Sequence, residues 1–316
     1  MSKPPYPWQS KQWFNVQQQI QQNRLPHALL LTGNLGMGQF DFALLLAQQL
    51  LCEKQTACGQ CTTCLLFLAN THPDIQIIEA EEESSIIKID QVRTLINFMN
   101  QTSVQAGYKI VIIHPACQMN LAASNALLKV LEEPPLNQNL IMLITEQASR
   151  LLPTIKSRCQ TLSFLSDERQ LADQWLKEQS SEQNADSIVL ELAEFAPLQV
   201  LKYLKEDKAK QVEMLIQHFI DLGLKNTDPV SIATFYKEYE LPEILHLLYF
   251  LITYLIRYKL NIQDDLLYDK LGPLASKLTI EKLFSLQDFV IQTNSELSRK
   301  INLNGQLVLE KIFCSL

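Results

Sequence analysis

The feature that most constrains the fold of this chain is a regular alternation of short apolar runs and helical patterns between residues 25 and 164. After Asp90, which we expect to cap a helix, Val92, Leu95 and Met99 recur at the spacing of one helix face. Strands that alternate with helices predict a parallel sheet with helices on both faces. The predicted strands are residues 28–32, 75–78, 109–113, 140–144 and 161–164.

Past residue 166 the strand pattern stops, and apolar residues recur only at helical spacing. A polar break at residues 179–184 separates the first two helical segments. The apolar run at 244–256 is too short for a membrane span and predicts a buried helix. The predicted fold class is therefore α/β plus all-α. We expect three domains, which are an α/β domain at residues 1–165, a small helical domain at 166–208 and a helical bundle at 209–316.

Composition and charge exclude several classes of protein. The chain has 316 residues, 47% hydrophobic and 19% charged, which is typical of a soluble globular protein. Its 27 Lys and Arg against 34 Asp and Glu give a net charge of −7. Proteins whose main task is to grip nucleic-acid backbones carry a basic excess instead. The first ten residues lack the apolar core of a signal peptide, so we expect a cytoplasmic protein with no membrane partner.

A glycine-rich loop lies between the first predicted strand and the next helix, which is the setting of a phosphate-binding loop. The nucleotide-binding pattern G-x-x-x-x-G-K-[ST] requires a lysine and a hydroxyl where this chain has Gln39 and Phe40. His114 also stands after the third strand, where an acidic residue for magnesium is expected. These changes predict that the chain does not hydrolyse ATP, and a glycine turn that never bound nucleotide remains an alternative. The glycines of the loop are Gly33, Gly36 and Gly38.

Four of the seven cysteines lie within thirteen residues, and they are Cys52, Cys58, Cys61 and Cys64. Their spacing contains two C-x-x-C steps, each of which brings two thiolates onto one ion. Four protein sulfurs leave no open position for a substrate, so the pattern predicts a structural Zn²⁺ site. Four unligated thiols and a redox-active C-x-x-C pair are the alternatives.

The segment Ser157-Arg158-Cys159 leads into the last predicted strand. A planar, permanently charged guanidinium suits a phosphate of a partner. On the residues alone, however, an ordinary surface arginine is the favoured interpretation of Arg158. Thr145, at the end of the fourth strand, is likewise interpreted as an ordinary strand-terminal threonine.

Taken together, these features resemble the delta-prime family of bacterial DNA polymerase III clamp-loader subunits, which belongs to the AAA+ class. The resemblance covers the whole chain and is strongest over residues 25–165. The stretches that carry it are the four-cysteine insert and residues 27–33, 124–135, 152–160 and 302–310.

The resemblance implies a heteropentamer of delta, delta-prime and three gamma/tau motor subunits, which opens the sliding clamp and places it on primed-template DNA. Such a chain is a subunit of a DNA-directed DNA polymerase holoenzyme and has no ATPase activity of its own. Family members often have a degraded loop, as here with Gln39 and Phe40, whereas motor subunits keep the lysine. We therefore expect this chain to bind no ATP. By resemblance, Arg158 acts in trans on the γ-phosphate held by the adjacent motor subunit, with Ser157 and Cys159 completing the motif.

The resemblance also assigns the helical segments. Residues 1–165 form an AAA+ domain with a zinc insert, residues 166–208 a lid, and residues 209–316 a collar that holds the pentamer together. Two other functions are considered beside this one. One is an active motor-type ATPase subunit with an unusual loop, and the other is a stand-alone zinc-dependent nucleic-acid-binding protein, which the acidic balance disfavours.

Overall fold

A computed structural model of the chain describes residues 4–80, 86–104, 107–135, 138–164, 169–179, 187–206, 208–223, 226–262, 268–298 and 301–315. The chain divides into two units. The first contains Met1–Ser181 with Ala196–Gln199, and the second contains Glu182–Phe195 with Val200–Leu316. The expected boundary at 165–166 and most of the polar break, residues 180–184, lie outside the described residues, so the three-domain division stays a prediction.

The first unit is built on a parallel sheet whose five strands follow the order β2-β3-β4-β1-β5. All five strands were predicted, each within one residue at either end. β3 and β4 are buried along their whole length, as strands covered on both faces must be. The strands are β1 Ala28–Gly33, β2 Ile75–Ile78, β3 Lys109–Ile113, β4 Asn139–Thr145 and β5 Gln160–Phe164.

Helices cover both faces of this sheet, as predicted. One buried cluster joins Val16 and Phe42, from two of these helices, to Leu29 and Leu31 of β1. The other cluster contains Leu30 of β1, because successive strand residues point to opposite faces. The helices of the first unit are α1 Ser10–Gln21, α2 Gln39–Leu51, α3 Thr62–Leu68, α4 Ile89–Met99, α5 Leu121–Glu132, α6 Pro153–Lys156 and α7 Arg169–Gln179.

The start of α4 differs from the sequence prediction. Lys88, not Asp90, occupies the position before the helix, so the expected cap is wrong. The cause is local, since the N–H of Lys88 donates to Oε1 of Gln91 at 2.9 Å and is satisfied from within the first turn. Asp90 instead lies inside that turn and pairs with Arg93 at 3.1 Å.

A buried ion pair joins β3 to the residue before β2. Nζ of Lys109 lies 3.4 Å from Oδ1 of Asp74, and both side chains are almost completely buried. The carboxylate also accepts the N–H of Val104 at 3.0 and 3.1 Å, and the ammonium lies 3.9 Å from the ring centroid of Phe98. A buried charge of this kind is stable only when it is paired and hydrogen-bonded.

The second unit is helical in its described residues. One helix of this unit, α12 (Leu241–Lys259), is long and apolar enough for a membrane span by length and composition alone, but half of its most apolar stretch is buried. Leu248 of α12 packs in one cluster with Phe219, Val290 and Phe313. The prediction of a buried helix is confirmed. The helices are α8 Ser187–Leu192, α9 Pro197–Lys205 (which begins in the first unit), α10 Lys208–Gly223, α11 Pro229–Phe235, α12 Leu241–Lys259, α13 Tyr268–Lys277, α14 Ile280–Ser298 and α15 Gly305–Cys314.

Candidate phosphate loop, metal centre and arginine edge

The glycine loop follows β1 and leads into α2, as the sequence predicts. Gly36 and Gly38 have φ values of 88° and 78°, a region that side chains rarely adopt. Gly36 also lies against the start of α9, because its carbonyl accepts the N–H of Leu198 at 3.1 Å. A Cβ on Gly36 would stand 2.6 Å from the backbone nitrogen of Gln199. The loop is therefore in direct backbone contact with the chain's own α9.

The interior of the loop is occupied by Gln39. Its side chain is 5% exposed, and its Nε2 donates to the carbonyl of Asn34 at 3.1 Å. A Cβ on Gly33 would lie 2.9 Å from that same nitrogen. In a phosphate-binding loop the lysine at this position reaches the β- and γ-phosphates. Here the uncharged amide of Gln39 instead donates a hydrogen bond to the backbone of the loop.

Phe40 contacts the residue that replaces the expected magnesium ligand. Its ring stacks on His114, with centroids 5.1 Å apart and planes inclined by 29°. The backbone N–H of His114 donates to Ile78 at 2.9 Å, which continues the β2–β3 ladder. The hydroxyl of Thr145 accepts the N–H of Gln147 at 3.1 Å. The positions that serve magnesium and the γ-phosphate in an ATPase are engaged here in packing and turn hydrogen bonds.

A strap of residues near the N terminus holds the other side of the loop. Nε1 of Trp8 and Nε2 of Gln9 donate to the carbonyl of Met37 at 3.0 and 2.9 Å. Gln9 donates to Gly38 as well, at 2.9 Å. Sequence reasoning missed this strap, because no periodicity or motif marks a side chain that bonds to a backbone some thirty residues away.

The four cysteines come together at the junction of α2 and α3. Cys52 directly follows α2, Cys61 directly precedes α3, and Cys64 lies in the first turn of α3. The chain reverses at Gly59, whose φ of 70° suits glycine. The N–H of Cys61 donates to Sγ of Cys58 at 3.4 Å. The two helices thus fix the positions of Cys52 and Cys64, and the turn between the helices supplies Cys58 and Cys61.

The distances within this cluster fit a tetrahedral metal site. Sγ of Cys52 lies 3.7 Å from Sγ of Cys58 and 3.8 Å from Sγ of Cys61, and all four sulfurs lie within 4.8 Å of one another. Four sulfurs bound to one zinc at about 2.3 Å would stand roughly 3.8 Å apart. The four cysteines can therefore hold one metal ion, as predicted.

The thiols of this cluster differ in acidity. Burial disfavours the Cys52 thiolate, but backbone hydrogen bonds from Cys58, Thr56 and Lys54 outweigh it and lower the pKa of Cys52 to about 6. Burial raises the pKa of Cys64 to about 12. A cation that binds all four sulfurs must displace the protons of the thiols, so metal affinity falls as the pH falls.

The arginine edge consists of Ser157, Arg158 and Cys159, between α6 and β5. Nη2 of Arg158 lies 2.8 Å from Oε1 of Glu132, the last residue of α5, and Nη1 donates to the carbonyl of Thr154 at 2.9 Å. The Ser157 hydroxyl donates to the same carbonyl at 3.0 Å. Burial raises the pKa of the Cys159 thiol to about 11, which favours the thiol over the thiolate at neutral pH. The Arg158 side chain remains about one-third exposed.

Comparison with known proteins places this chain in a family. A family model described as DNA polymerase III, delta subunit matches residues 8–168, and one described as DNA polymerase III, delta subunit, C terminal matches residues 206–316. The DNA polymerase III subunit delta′ of Pseudomonas aeruginosa is 32% identical over 97% of this chain and 95% of its own length. The chain belongs to the DNA polymerase III delta′ family. The predicted resemblance is thereby confirmed.

Two further comparisons concern parts of the chain or its fold. The delta′ subunit of Bacillus subtilis is 42% identical over 46% of this chain and 44% of its own length. A solved structure of a DNA polymerase III gamma subunit-related protein from Thermotoga maritima is 21% identical in sequence and aligns with a TM-score of 0.46. The alignment covers 95% of this chain and 97% of that protein's chain.

Of the predicted features of this delta′ family member, the structure brings the four cysteines together and leaves the loop and the arginine edge apart. In the β1–β5 register, Leu29 pairs with Gln160 and Gly33 with Phe164. Arg158 therefore lies where β5 begins, whereas the loop lies where β1 ends. Sequence reasoning missed the contact of Glu132 with Arg158, although both residues fall in stretches that carry the family resemblance.

Proposed function

We propose that this chain is the non-hydrolysing delta-prime subunit of a DNA polymerase III clamp loader. In this role it is a scaffold for loading the sliding clamp onto primed-template DNA, and it donates Arg158 to the adjacent motor subunit. Membership of the delta′ family supports the assignment to the complex. The observation that carries the non-hydrolysing part is the phosphate loop, which contacts α9 and Gln39 where a nucleotide would need room and positive charge.

The loop lacks the two side chains that a nucleotide-binding loop offers to ATP, because Gln39 and Phe40 replace the lysine and the hydroxyl. Triphosphate binding would require Gln39 to leave its hydrogen bond with Asn34, and the loop to part from the Leu198 N–H. No new interaction compensates for these two lost hydrogen bonds, because no lysine neutralises the phosphates and Phe40 offers no oxygen to magnesium. We therefore propose that the chain binds no ATP and has no ATPase activity of its own. This disfavours the motor-type alternative.

The position of Arg158 supports action in trans. Gln160, two residues after Arg158, pairs with Leu29 near the start of β1, and Gly33 lies four residues further along that strand, about 13 Å from Leu29 at 3.3 Å per residue. The guanidinium is thus remote from the loop of its own chain. Its partial exposure and permanent charge suit the γ-phosphate of a nucleotide held by a neighbouring subunit.

The remaining parts of the proposal follow the family. The metal at the four cysteines is a structural Zn²⁺, since four thiolates fill a tetrahedral shell and leave no position for a substrate. Residues 166–208 act as a lid and residues 209–316 as a collar. The partners are delta and the gamma/tau motor subunits in a cytoplasmic heteropentamer, and the sliding clamp and primed-template DNA bind through the complex.

Reconstitution of the loader tests the proposal. We expect Arg158→Ala to lower the ATPase rate of the complex in the presence of clamp and primed DNA without dissolving it. Arginine fingers of other nucleotide hydrolases contribute about 10³–10⁵-fold at the site they serve. Arg150→Ala is the matched control, because Arg150 is an exposed arginine that lies outside the motif, and its Nη1 donates to Oε1 of Gln147. ATPase activity equal to wild type in the Arg158→Ala complex would refute the finger.

A further inference from the structure

Arg158 is held in one orientation by its own chain. Nη2 pairs with Glu132 at 2.8 Å, while Nη1 donates to the Thr154 carbonyl at 2.9 Å and lies 3.4 Å from Oγ of Ser157. Guanidinium has five N–H donors in a rigid planar fork. Three contacts to the two terminal nitrogens fix the plane of the guanidinium and leave its remaining N–H donors to reach a phosphate.

The carboxylate that makes the charged contact is itself fixed by the fold. Glu132 is the last residue of α5, and the carbonyl of the preceding Leu131 lies 3.1 Å from Nε2 of His27, just before β1. On the other side, Ile155 of α6 is fully buried in the cluster that contains Leu127 and Leu131. The distance between the end of α5 and Arg158 is therefore set by core packing.

We propose that Glu132 is the positioning residue for Arg158. The inference rests on the proposed function, because it assigns Glu132 a role only if Arg158 serves a neighbouring nucleotide. An arginine side chain loses much rotamer freedom when it is held in one pose. Glu132 removes that freedom before the subunits assemble, so that the guanidinium does not have to be ordered during hydrolysis. The carboxylate contacts the arginine and never the nucleotide.

The test compares Glu132→Gln with Glu133→Gln in the reconstituted loader. Glu133 is the adjacent exposed glutamate and makes no ion pair within the described residues, so it is the matched control. We expect Glu132→Gln to slow hydrolysis at the site served by Arg158 by about five-fold or more, which is the order of one ordered side chain. The rate at that site then falls to about one-fifth of the wild-type rate or below. The kcat falls while KM for ATP stays unchanged, because the finger acts on the transition state.

Two further variants separate positioning from a merely structural role. In the Arg158→Ala background, Glu132→Gln should change nothing more, since its effect passes through the guanidinium. Glu132→Asp keeps the charge and should recover part of the rate. Size-exclusion chromatography verifies that each loader assembles, and a melting curve verifies that each chain folds.

The outcomes distinguish this inference from the proposed function. If Arg158→Ala lowers turnover and Glu132→Gln does not, the positioning role is wrong and the finger stands. If Glu132→Gln raises turnover, the carboxylate restrains the arginine and the inference is overturned. The inference is also overturned if Glu132→Gln lowers turnover further in the Arg158→Ala background. If Arg158→Ala itself has no effect, the proposed function fails first.

Discussion

Removal of one sulfur from the four-cysteine cluster is the sharpest test of the metal site. Cys58 is the ligand to replace, because it lies in the turn and is less buried than Cys52 or Cys64. In Cys58→Ser a harder oxygen replaces a thiolate 3.7 Å from Sγ of Cys52, and the remaining sulfurs cannot complete a tetrahedral zinc shell. We expect about one zinc per wild-type chain and only a small fraction of that in the variant.

The effect on stability follows from mass action and from where the cluster is anchored. A metal present at 1,000 times its dissociation constant stabilises the folded state by about 4 kcal/mol. Cys52 directly follows α2, whose Phe42 and Leu46 lie in the core under the sheet, so this energy is coupled to the first unit. Since 1 kcal/mol shifts the melting temperature of a domain of this size by about 2–4 °C, we expect a fall of about 8–16 °C.

Elemental analysis measures the zinc content, and differential scanning calorimetry measures the melting temperature. Cys314→Ser is the control, because Cys314 is exposed and lies outside the cluster. It should keep the zinc and the melting temperature of the wild type. A full equivalent of zinc in Cys58→Ser, or none in reduced wild-type protein, would refute the tetrahedral site. Removal of zinc by a chelator without any change in melting would refute its coupling to the first unit.

Two other predictions concern the loop and the buried ion pair. The double variant Gln39→Lys with Phe40→Thr should bind a fluorescent ATP analogue more tightly than wild type, because it removes the amide that bonds to Asn34 and supplies the missing charge and hydroxyl; an affinity equal to that of wild type in equilibrium titration would contradict this. Asp74→Asn leaves the buried ammonium of Lys109 without its opposite charge. The free energy of unfolding, measured in urea, should fall by about 3–5 kcal/mol. A loss below about 1 kcal/mol would show that water reaches Lys109.

Local patterns in the sequence predicted the framework well. β1, β3 and β4 were found because each is a short apolar run, and burial on both faces requires that composition. The edge strand β5 instead alternates exposed polar residues with the buried Leu162 and Phe164. The cysteine cluster was found because a C-x-x-C step brings its two sulfurs together through a local turn. The cap of α4 failed for the opposite reason. The pattern favours Asp90, but Lys88 is satisfied by the side chain of Gln91.

What fills the phosphate loop could not be predicted from the sequence. The replacement of lysine by Gln39 shows what is missing, but not that the amide bonds to Asn34. The contact of Gly36 with Leu198 joins residues that are far apart in the chain, and hydrophobic periodicity carries no information about such partners. The same holds for the pair of Lys109 with Asp74, where the sequence shows two charged residues and the fold buries both.

The separation of the loop from the arginine edge makes a final prediction about how substitutions combine. Gly33 and the Leu29–Gln160 pair lie at opposite ends of β1, about 13 Å apart, and substitutions that far apart without shared partners are additive. Gln39→Lys should therefore leave the effect of Arg158→Ala on the loader's ATPase unchanged. A large interaction between the two would show that the loop and the finger respond to the same nucleotide, which would overturn action in trans. An additive result explains how a subunit can lose its own nucleotide site and still serve that of its neighbour.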